Sequence, residues 1–146
     1  GDPAAFRLPR PHVDGSPYDF SFSGLKTAVL NLLHNAAQKG ESLNTADLAA
    51  SFQHTVVEIL CDHTLRAAAD TGADTIVLAG GVSANSGLRS RMEQLCAQRG
   101  LRLFRPPLPL CGDNAAMVGA QAFYEIQAGH LAGMELNACA TMPIEG

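Results

Sequence analysis

Residues 75–92 read TIVLAGGVSANSGLRSRM, a β-branched run followed by two glycines, a short polar turn and an amphipathic helix. Thr75–Ala79 predicts a strand buried on both faces, and Leu101–Phe104 predicts a second strand. The helix between them is predicted over Ser86–Gln98 and stops before Gly100. Strands joined through a helix in this way are parallel, and the crossover is right-handed in about 98% of cases. The stretch therefore predicts a βαβ unit and an α/β fold.

Further helices are predicted on both sides of this unit, over residues 25–40, 44–72 and 114–127. Asn44 is the expected N-cap of the second helix, and glycines end the first two. The apolar stripes consist of Leu25, Ala28, Val29, Leu32, Leu33 and Ala36 in the first helix and of Leu48, Phe52, Val56, Ile59 and Leu60 in the second. Two strands are too few to cover these stripes. Either the terminal segments supply further strands, or the rest of the sheet lies upstream in a larger protein.

The composition predicts one globular unit without a membrane segment. The 146 residues are 47% hydrophobic and 16% charged, which is enough apolar surface for one core. Residues 1–23 predict extended chain and turns, residues 24–130 contain the helices and the βαβ core, and residues 131–146 form a tail. The sequence has neither an apolar run of membrane-spanning length nor a signal-peptide pattern. We therefore expect a cytoplasmic location and no membrane partner.

The four cysteines are scattered and include no C-x-x-C pair. They are Cys61, Cys96, Cys111 and Cys139. This spacing predicts reduced structural thiols, and it favours neither a zinc site nor a disulfide framework.

Half of the ten cationic residues lie within residues 89–105, with Glu93 as the only acid among them. They are Arg89, Arg91, Arg99, Arg102 and Arg105. The cluster is either the solvated flank of a helix or a basic face for nucleic acid. The formal net charge of −4 and the frequency of arginine on helix surfaces favour the solvated flank.

The pair Gly80-Gly81 lies at the carboxyl end of the first predicted strand, where open parallel sheets bind their ligands. Glycine lets a ligand approach the backbone, and the next helix offers N–H groups at its positive end, with Asn85 or Ser83 as the cap. This pattern favours an anionic or polar nucleotide group. Because the stretch is neither G-x-G-x-x-G nor a Walker A motif, a glycine pair that only permits a tight turn is the alternative.

The stretch CGDNAAM places Asp113 at the start of the last predicted helix, after the second strand and its proline-rich loop. Because the carboxyl ends of parallel strands share one sheet edge, we expect Asp113 and Asn85 to face a common crevice. Asp113 either caps the helix or directs its carboxylate at a cation or nucleotide. If Asn114 is the cap, the Asp113 carboxylate is available for binding. One carboxylate does not define a metal site, and no classical catalytic motif accompanies it.

Three stretches together resemble one family: FSFSGLKTAV at 20–29, AGGVSANSGLR at 79–89 and CGDNAAM at 111–117. They are similar to TsaD, the tRNA threonylcarbamoyladenosine transferases, historically described as glycoproteases or O-sialoglycoprotein endopeptidases. The resemblance implies a two-lobed actin-like and Hsp70-like ATPase fold (ribonuclease H-like), of which residues 1–146 are the single C-terminal lobe. It also implies transfer of a threonylcarbamoyl group from threonylcarbamoyl-AMP to N6 of the adenosine beside the anticodon. The tRNAs concerned read codons that begin with A.

The resemblance further implies roles for individual residues. Asn85 would contact the nucleotide substrate, in a turn that also contains Gly80, Gly81 and Ser83, and Asp113 would ligate one divalent iron or zinc ion. No residue of this chain receives a catalytic role. The family's H-x-x-x-H metal motif is missing, since no such spacing occurs among His12, His34, His54, His63 and His130. The metal site is therefore expected to be incomplete in this chain alone. Gly112 also stands where the family usually has threonine.

The implied partners are threonylcarbamoyl-AMP or an ATP-like nucleotide, tRNA, and the proteins TsaB and TsaE of a bacterial complex. A homodimer of this chain is a further expectation if an apolar face is left uncovered. The Lys26 side chain contacts phosphate or RNA, or it is an exposed lysine at a helix start. The main interpretation is a part of a transferase that is inactive alone. The alternatives are a non-catalytic actin-like module that binds a nucleotide or partner, and a metalloprotease. The sequence has no zincin pattern to support the protease.

Overall fold

The computed structural model describes residues 1–15 and 17–141, and these contain four α-helices and two short strands. The helices are α1 (Ser23–Lys39), α2 (Thr45–Thr71), α3 (Ser86–Arg99) and α4 (Ala115–Gln127). The strands are β1 (Thr75–Val77) and β2 (Arg102–Phe104), and single 3₁₀ turns follow them at Gly81–Ala84 and Leu108–Leu110. The predicted α/β class and order of elements are confirmed.

The two strands are parallel and adjacent, as the βαβ prediction requires. Ile76 pairs with Leu103 in the register, and the amide of Leu78, one residue after β1, donates to the carbonyl of Phe104 at the end of β2, at 2.9 Å. The prediction that the first strand is buried on both faces is wrong. Successive side chains of a strand point to opposite faces, and only Ile76 (6% exposed) enters the core, whereas Val77 is 67% exposed. The first strand also ends at Val77 and not at Ala79.

The helix ends follow local sequence signals. The Asn44 side chain accepts hydrogen bonds from the amides of Ala46 and Asp47 at 3.0 and 3.3 Å and begins α2, as predicted. Gly40 and Gly72 end α1 and α2 in the left-handed conformation expected of glycine caps.

The core lies between α2, α3 and β1. It consists of Val57, Cys61, Leu65 and Ala68 from α2, Ile76 from β1, and Leu88, Met92 and Cys96 from α3. The stripe predicted for α2 includes buried Leu48 and Ile59, and also Leu60, which packs against the core. It omits the buried core residues of α2, which are Val57, Cys61, Leu65 and Ala68. A single stripe describes a helix covered on one side, whereas α2 is covered on two.

The N-terminal segment covers the second side of α2. Residues 1–15 and 17–22 contain no helix or strand, which agrees with the predicted extended chain and turns. The segment nevertheless packs closely, since the Asp2 amide donates to Asp47 Oδ1 at 2.7 Å and the Phe6 amide donates to Ser51 Oγ at 3.1 Å. Its Leu8 side chain is buried. Residues 1–15 and 17–22 therefore belong to the packed structure.

The chain divides into two compact units, Gly1–Cys111 and Gly112–Gly146. The second unit contains α4, which has no buried residue. Residues 131–141 of the predicted tail contain no helix or strand, and residues 142–146 lie outside the described part of the chain. The prediction of one lobe over residues 1–146 stays a prediction. Within the described ranges, no helix has the length and apolar character needed to cross a bilayer.

All four cysteines are free thiols, as predicted, and Cys61, Cys96 and Cys111 are buried. Burial raises the pKa of Cys61 to about 11. Because the thiolate is the reactive form, this cysteine is expected to be inert at neutral pH.

An ion pair joins the two central helices and makes stability depend on pH. Arg91 of α3 donates through Nε and Nη2 to the two carboxylate oxygens of Glu58 on α2, at 2.7 and 3.2 Å. This hydrogen bonding lowers the pKa of Glu58 below its ordinary value of 4.5. A lowered carboxyl pKa stabilises the fold above the unfolded-state pKa, and that contribution is lost as pH falls through the folded-state pKa.

We expect Arg91→Met to lower the melting temperature at pH 7. Between pH 5 and pH 3 the variant should lose less stability than the wild type does. Thermal unfolding monitored by circular dichroism across this range tests the prediction. Arg99→Met is the matched control, because Arg99 is exposed on the same helix and has no hydrogen bond or ion pair in the described ranges. Equal acid sensitivity of the Arg91 variant and the wild type would contradict it.

Candidate functional site

The turn after β1 begins at Gly80, whose backbone has φ 79° and ψ 170°. This conformation is almost exclusive to glycine. The Ser83 amide then donates to the Gly80 carbonyl, and the Asn85 amide donates to the Val82 carbonyl, both at 3.0 Å. A Cβ atom added to Gly80 or Gly81 would meet nothing within 4 Å. The backbone therefore requires glycine at position 80, whereas neither the backbone conformation nor the surroundings of Gly81 require glycine.

The two glycines give different predictions when each is replaced by alanine. Gly80→Ala is expected to destabilise the fold by about 1–3 kcal/mol, because alanine rarely adopts this φ and ψ. Gly81→Ala has neither backbone strain nor a clash, so its stability should stay within about 0.5 kcal/mol of wild type. Urea unfolding of both variants measures the difference. Equal stabilities would show that the turn does not depend on the Gly80 conformation.

Asn85 is the N-cap of α3. Its Oδ1 accepts from the Leu88 amide at 3.0 Å, and its Nδ2 donates to Gln53 Oε1 on α2 at 3.2 Å. Of the two predicted caps, Asn85 is therefore correct and Ser83 is wrong, because Ser83 lies inside the preceding 3₁₀ turn. The half-buried Asn85 lines an apolar groove of about 270 Å³ between α2 and the turn, with Phe52 among the other lining residues.

Two residues near the turn have distinct positions. Ser83 is buried, and its hydroxyl has no hydrogen-bond partner among the described residues. A substrate contact by Ser83 stays a prediction, and it would require the turn to open.

Gln53 was not predicted from the sequence, because no motif marks a glutamine in the middle of a helix. Only the packing of α2 beside the turn brings it to Asn85.

Four of the five arginines in the cluster form ion pairs or hydrogen bonds with other residues of the protein. Arg91 pairs with Glu58, Arg102 with Asp74 at 2.9 Å, and Arg105 with Glu93 at 3.1 Å. Arg89 instead donates to the Ser83 carbonyl, to the Pro106 carbonyl at 2.6 Å and to the Cys111 thiol at 3.0 Å. Arg99 and Arg102 are exposed, as the favoured interpretation of a solvated flank expects, whereas the half-buried Arg89 differs from it because its guanidinium donates to acceptors of the protein itself.

Asn114, and not Asp113, caps α4. The Asn114 Oδ1 accepts from the Met117 amide at 3.1 Å, and its Nδ2 donates to the Gly112 carbonyl at 3.2 Å. The Asp113 side chain is exposed and forms no hydrogen bond or ion pair within the described ranges. A Cβ atom at Gly112 would meet nothing within 4 Å, so glycine is not sterically required there. The predicted alternative in which Asn114 is the cap is thus confirmed.

Asp113 lines an open hollow of about 480 Å³ on the second unit, together with Gln121 and Glu125. Glu125 accepts from Gln121 at 2.6 Å and contacts His130 Nδ1 at 2.8 Å. The hydrogen bond with His130 lowers the pKa of Glu125. No group of three or more His, Cys, Asp or Glu side chains in the described residues could hold a metal ion. These residues alone do not fit a metal centre, and Asp113 offers one oxygen ligand.

Asn85 belongs to the first unit and Asp113 to the second. Their common crevice stays a prediction. Within the first unit Asn85 lines the apolar groove, and within the second unit Asp113 lines the open hollow.

Comparison with known proteins covers the part of the chain that contains both residues. The family model described as TsaD: tRNA N6-adenosine threonylcarbamoyltransferase matches residues 1–120, which include the Gly80–Asn85 turn and Asp113. A protein of that name from Enterococcus faecalis is 50% identical over 135 residues, which are 91% of this chain and 39% of the relative. The Moorella thermoacetica relative is 48% identical over 144 residues (99% and 42%), and the Staphylococcus saprophyticus relative 45% over 141 residues (97% and 41%). The chain spans about two fifths of the length of these relatives.

Proposed function

Since the chain belongs to the TsaD family of tRNA N6-adenosine threonylcarbamoyltransferases, we propose that it supplies the donor-binding turn and one metal ligand of such an enzyme. The enzyme transfers a threonylcarbamoyl group from threonylcarbamoyl-AMP to N6 of the adenosine beside the anticodon. The observation that carries the proposal is the family match across both Asn85 and Asp113, the residues with side chains at an open groove and an open hollow.

The reaction forms one bond and breaks one. The N6 amine attacks the carbamoyl carbon, the bond from that carbon to the phosphate oxygen breaks, and AMP leaves while the amine loses a proton. The role of this chain is to bind and orient the donor, since holding two reactants in the correct geometry lowers the barrier. The Asn85 Nδ2 group and the N-terminal amides of α3 are donors suited to an anionic nucleotide.

Asp113 has the narrower role of one oxygen ligand to a divalent iron or zinc ion. Zinc sites with catalytic roles use three protein ligands. Because this sequence has no H-x-x-x-H motif, we propose that the other ligands come from outside it and that the chain alone binds no metal. For the same reason we expect the 146-residue chain alone to be inactive.

We propose tRNA, TsaB and TsaE as the partners of the full-length protein, and a tRNA substrate agrees with the predicted cytoplasmic location. A homodimer of the chain alone stays a prediction, for which the exposed apolar side chains Leu33 and Val82 are the support.

Reconstitution tests the proposed function. Full-length protein, TsaB, TsaE, threonylcarbamoyl-AMP and unmodified tRNA are incubated, and threonylcarbamoyladenosine is measured by mass spectrometry after digestion of the tRNA. We expect product from the full-length protein and none from the 146-residue chain. Donor binding without product from the full-length protein would instead support the non-catalytic module.

A further inference from the structure

Arg89 connects the two loops that follow β1 and β2. Its Nε donates to the carbonyl of Ser83, which lies in the turn after β1. Its Nη2 donates to the Pro106 carbonyl at 2.6 Å and to the Cys111 thiol at 3.0 Å, at the two ends of the loop after β2. One half-buried guanidinium therefore joins both loops at the carboxyl edge of the sheet.

The Arg89 side chain supplies hydrogen bonds between the two loops that the backbone does not. Beyond the hydrogen bond from Leu78 to Phe104, no backbone hydrogen bond of the described residues joins residues 80–85 to residues 105–111. The Arg89 guanidinium has neutral acceptors only, unlike Arg91, which pairs with a carboxylate. Hydrogen bonds from a charged donor are stronger than neutral ones, and the planar fork of arginine fixes their directions.

Arg89 is also connected to the cap residue of its own helix. The Arg89 amide donates to the Asn85 carbonyl at 3.0 Å in the first turn of α3. Its side chain then reaches back to Ser83, two residues before Asn85. Removal of the guanidinium therefore removes a hydrogen bond to the turn that contains Asn85. The hydrogen-bond donors of Arg89 bind acceptors of the protein itself.

We propose that Arg89 is a positioning residue that holds the Gly80–Asn85 turn against the Pro106–Cys111 loop and thereby sets the geometry of the donor site. This inference rests on the proposed function of that turn. A lysine would not be equivalent, because its ammonium is a point donor and cannot reproduce the fork toward two carbonyls and a thiol.

Arg89→Met tests the proposal, since methionine retains an unbranched apolar stem and removes every donor. We expect amides within residues 81–85 and 108–111 to exchange hydrogen about tenfold faster, as the loss of charged hydrogen bonds predicts. In the reconstituted enzyme, the KM for threonylcarbamoyl-AMP should rise about tenfold, with the KM for tRNA unchanged. Arg89→Lys should give smaller changes in the same directions.

Arg99→Met is the matched control on the same helix, and it should change neither measurement. Equal acceleration of exchange in the two loops and in α2, with an unchanged donor KM, would assign Arg89 a general structural role and overturn the proposal. Unchanged loop exchange would also overturn it. If the wild-type enzyme makes no product, the proposed function fails, whereas the exchange measurement still decides whether Arg89 joins the loops.

Discussion

Replacing Asp113 with alanine in the full-length protein is expected to reduce threonylcarbamoyladenosine formation by about a hundredfold or more, because the proposed metal ligand is removed. The folding free energy should change by less than about 0.5 kcal/mol, since Asp113 is exposed and forms no hydrogen bond within the described ranges. Loss of product with an unchanged melting temperature therefore separates the role of the carboxylate from folding.

Asn114→Ala is the matched control for Asp113. It removes the cap of α4 and should cost about 1 kcal/mol of stability, yet it leaves the carboxylate in place. Asp113→Asn conserves the size of the side chain and should lose product as Asp113→Ala does. Mass spectrometry gives the product, and elemental analysis of the purified protein gives the metal content. Wild-type product from the Asp113 variants would remove Asp113 from the site.

Two substitutions of Asn85 are expected to distinguish its role as a helix cap from its proposed role in binding threonylcarbamoyl-AMP. Asn85→Ala removes both the helix cap and the Nδ2 hydrogen-bond donor. We therefore expect about 1 kcal/mol lower stability and at least about a tenfold lower kcat/KM for threonylcarbamoyl-AMP. Asn85→Asp retains an oxygen for the Leu88 amide and places a carboxylate at the helix N-terminus, so its stability should remain near wild type. Its kcat/KM should nevertheless fall as far, because the carboxylate donates no hydrogen bond and repels the phosphate.

Thermal unfolding and initial rates at varied donor concentration measure the two effects. Gln53→Ala is the control, because it removes the partner of Asn85 Nδ2 and leaves the cap intact. It should lower kcat/KM less than Asn85→Asp does. An Asn85→Asp enzyme with the wild-type kcat/KM would limit Asn85 to its structural role.

The helices, the parallel strand pair and the family were predictable from the sequence. Helix periodicity and caps such as Asn44 act within a few residues, so they are visible in the local pattern. The TsaD resemblance came from three motifs in order, and the family match over residues 1–120 confirms it. The sequence does not decide whether Asn114 or Asp113 caps α4, because either side chain can cap a helix.

Contacts between distant positions were decided by the tertiary structure. Gln53 and Asn85 are 32 positions apart, and Arg89 and Cys111 are 22 positions apart. No spacing rule connects such residues, since their meeting depends on how α2, α3 and the loops after the strands pack. The burial of α2 on two faces arises in the same way, because the N-terminal segment that covers one face has no periodic pattern of its own. The sequence alone determined which elements form and which family they belong to. Packing decided which polar groups reach the Gly80–Asn85 turn, because side-chain hydrogen bonds form only between groups that the fold brings within about 3 Å.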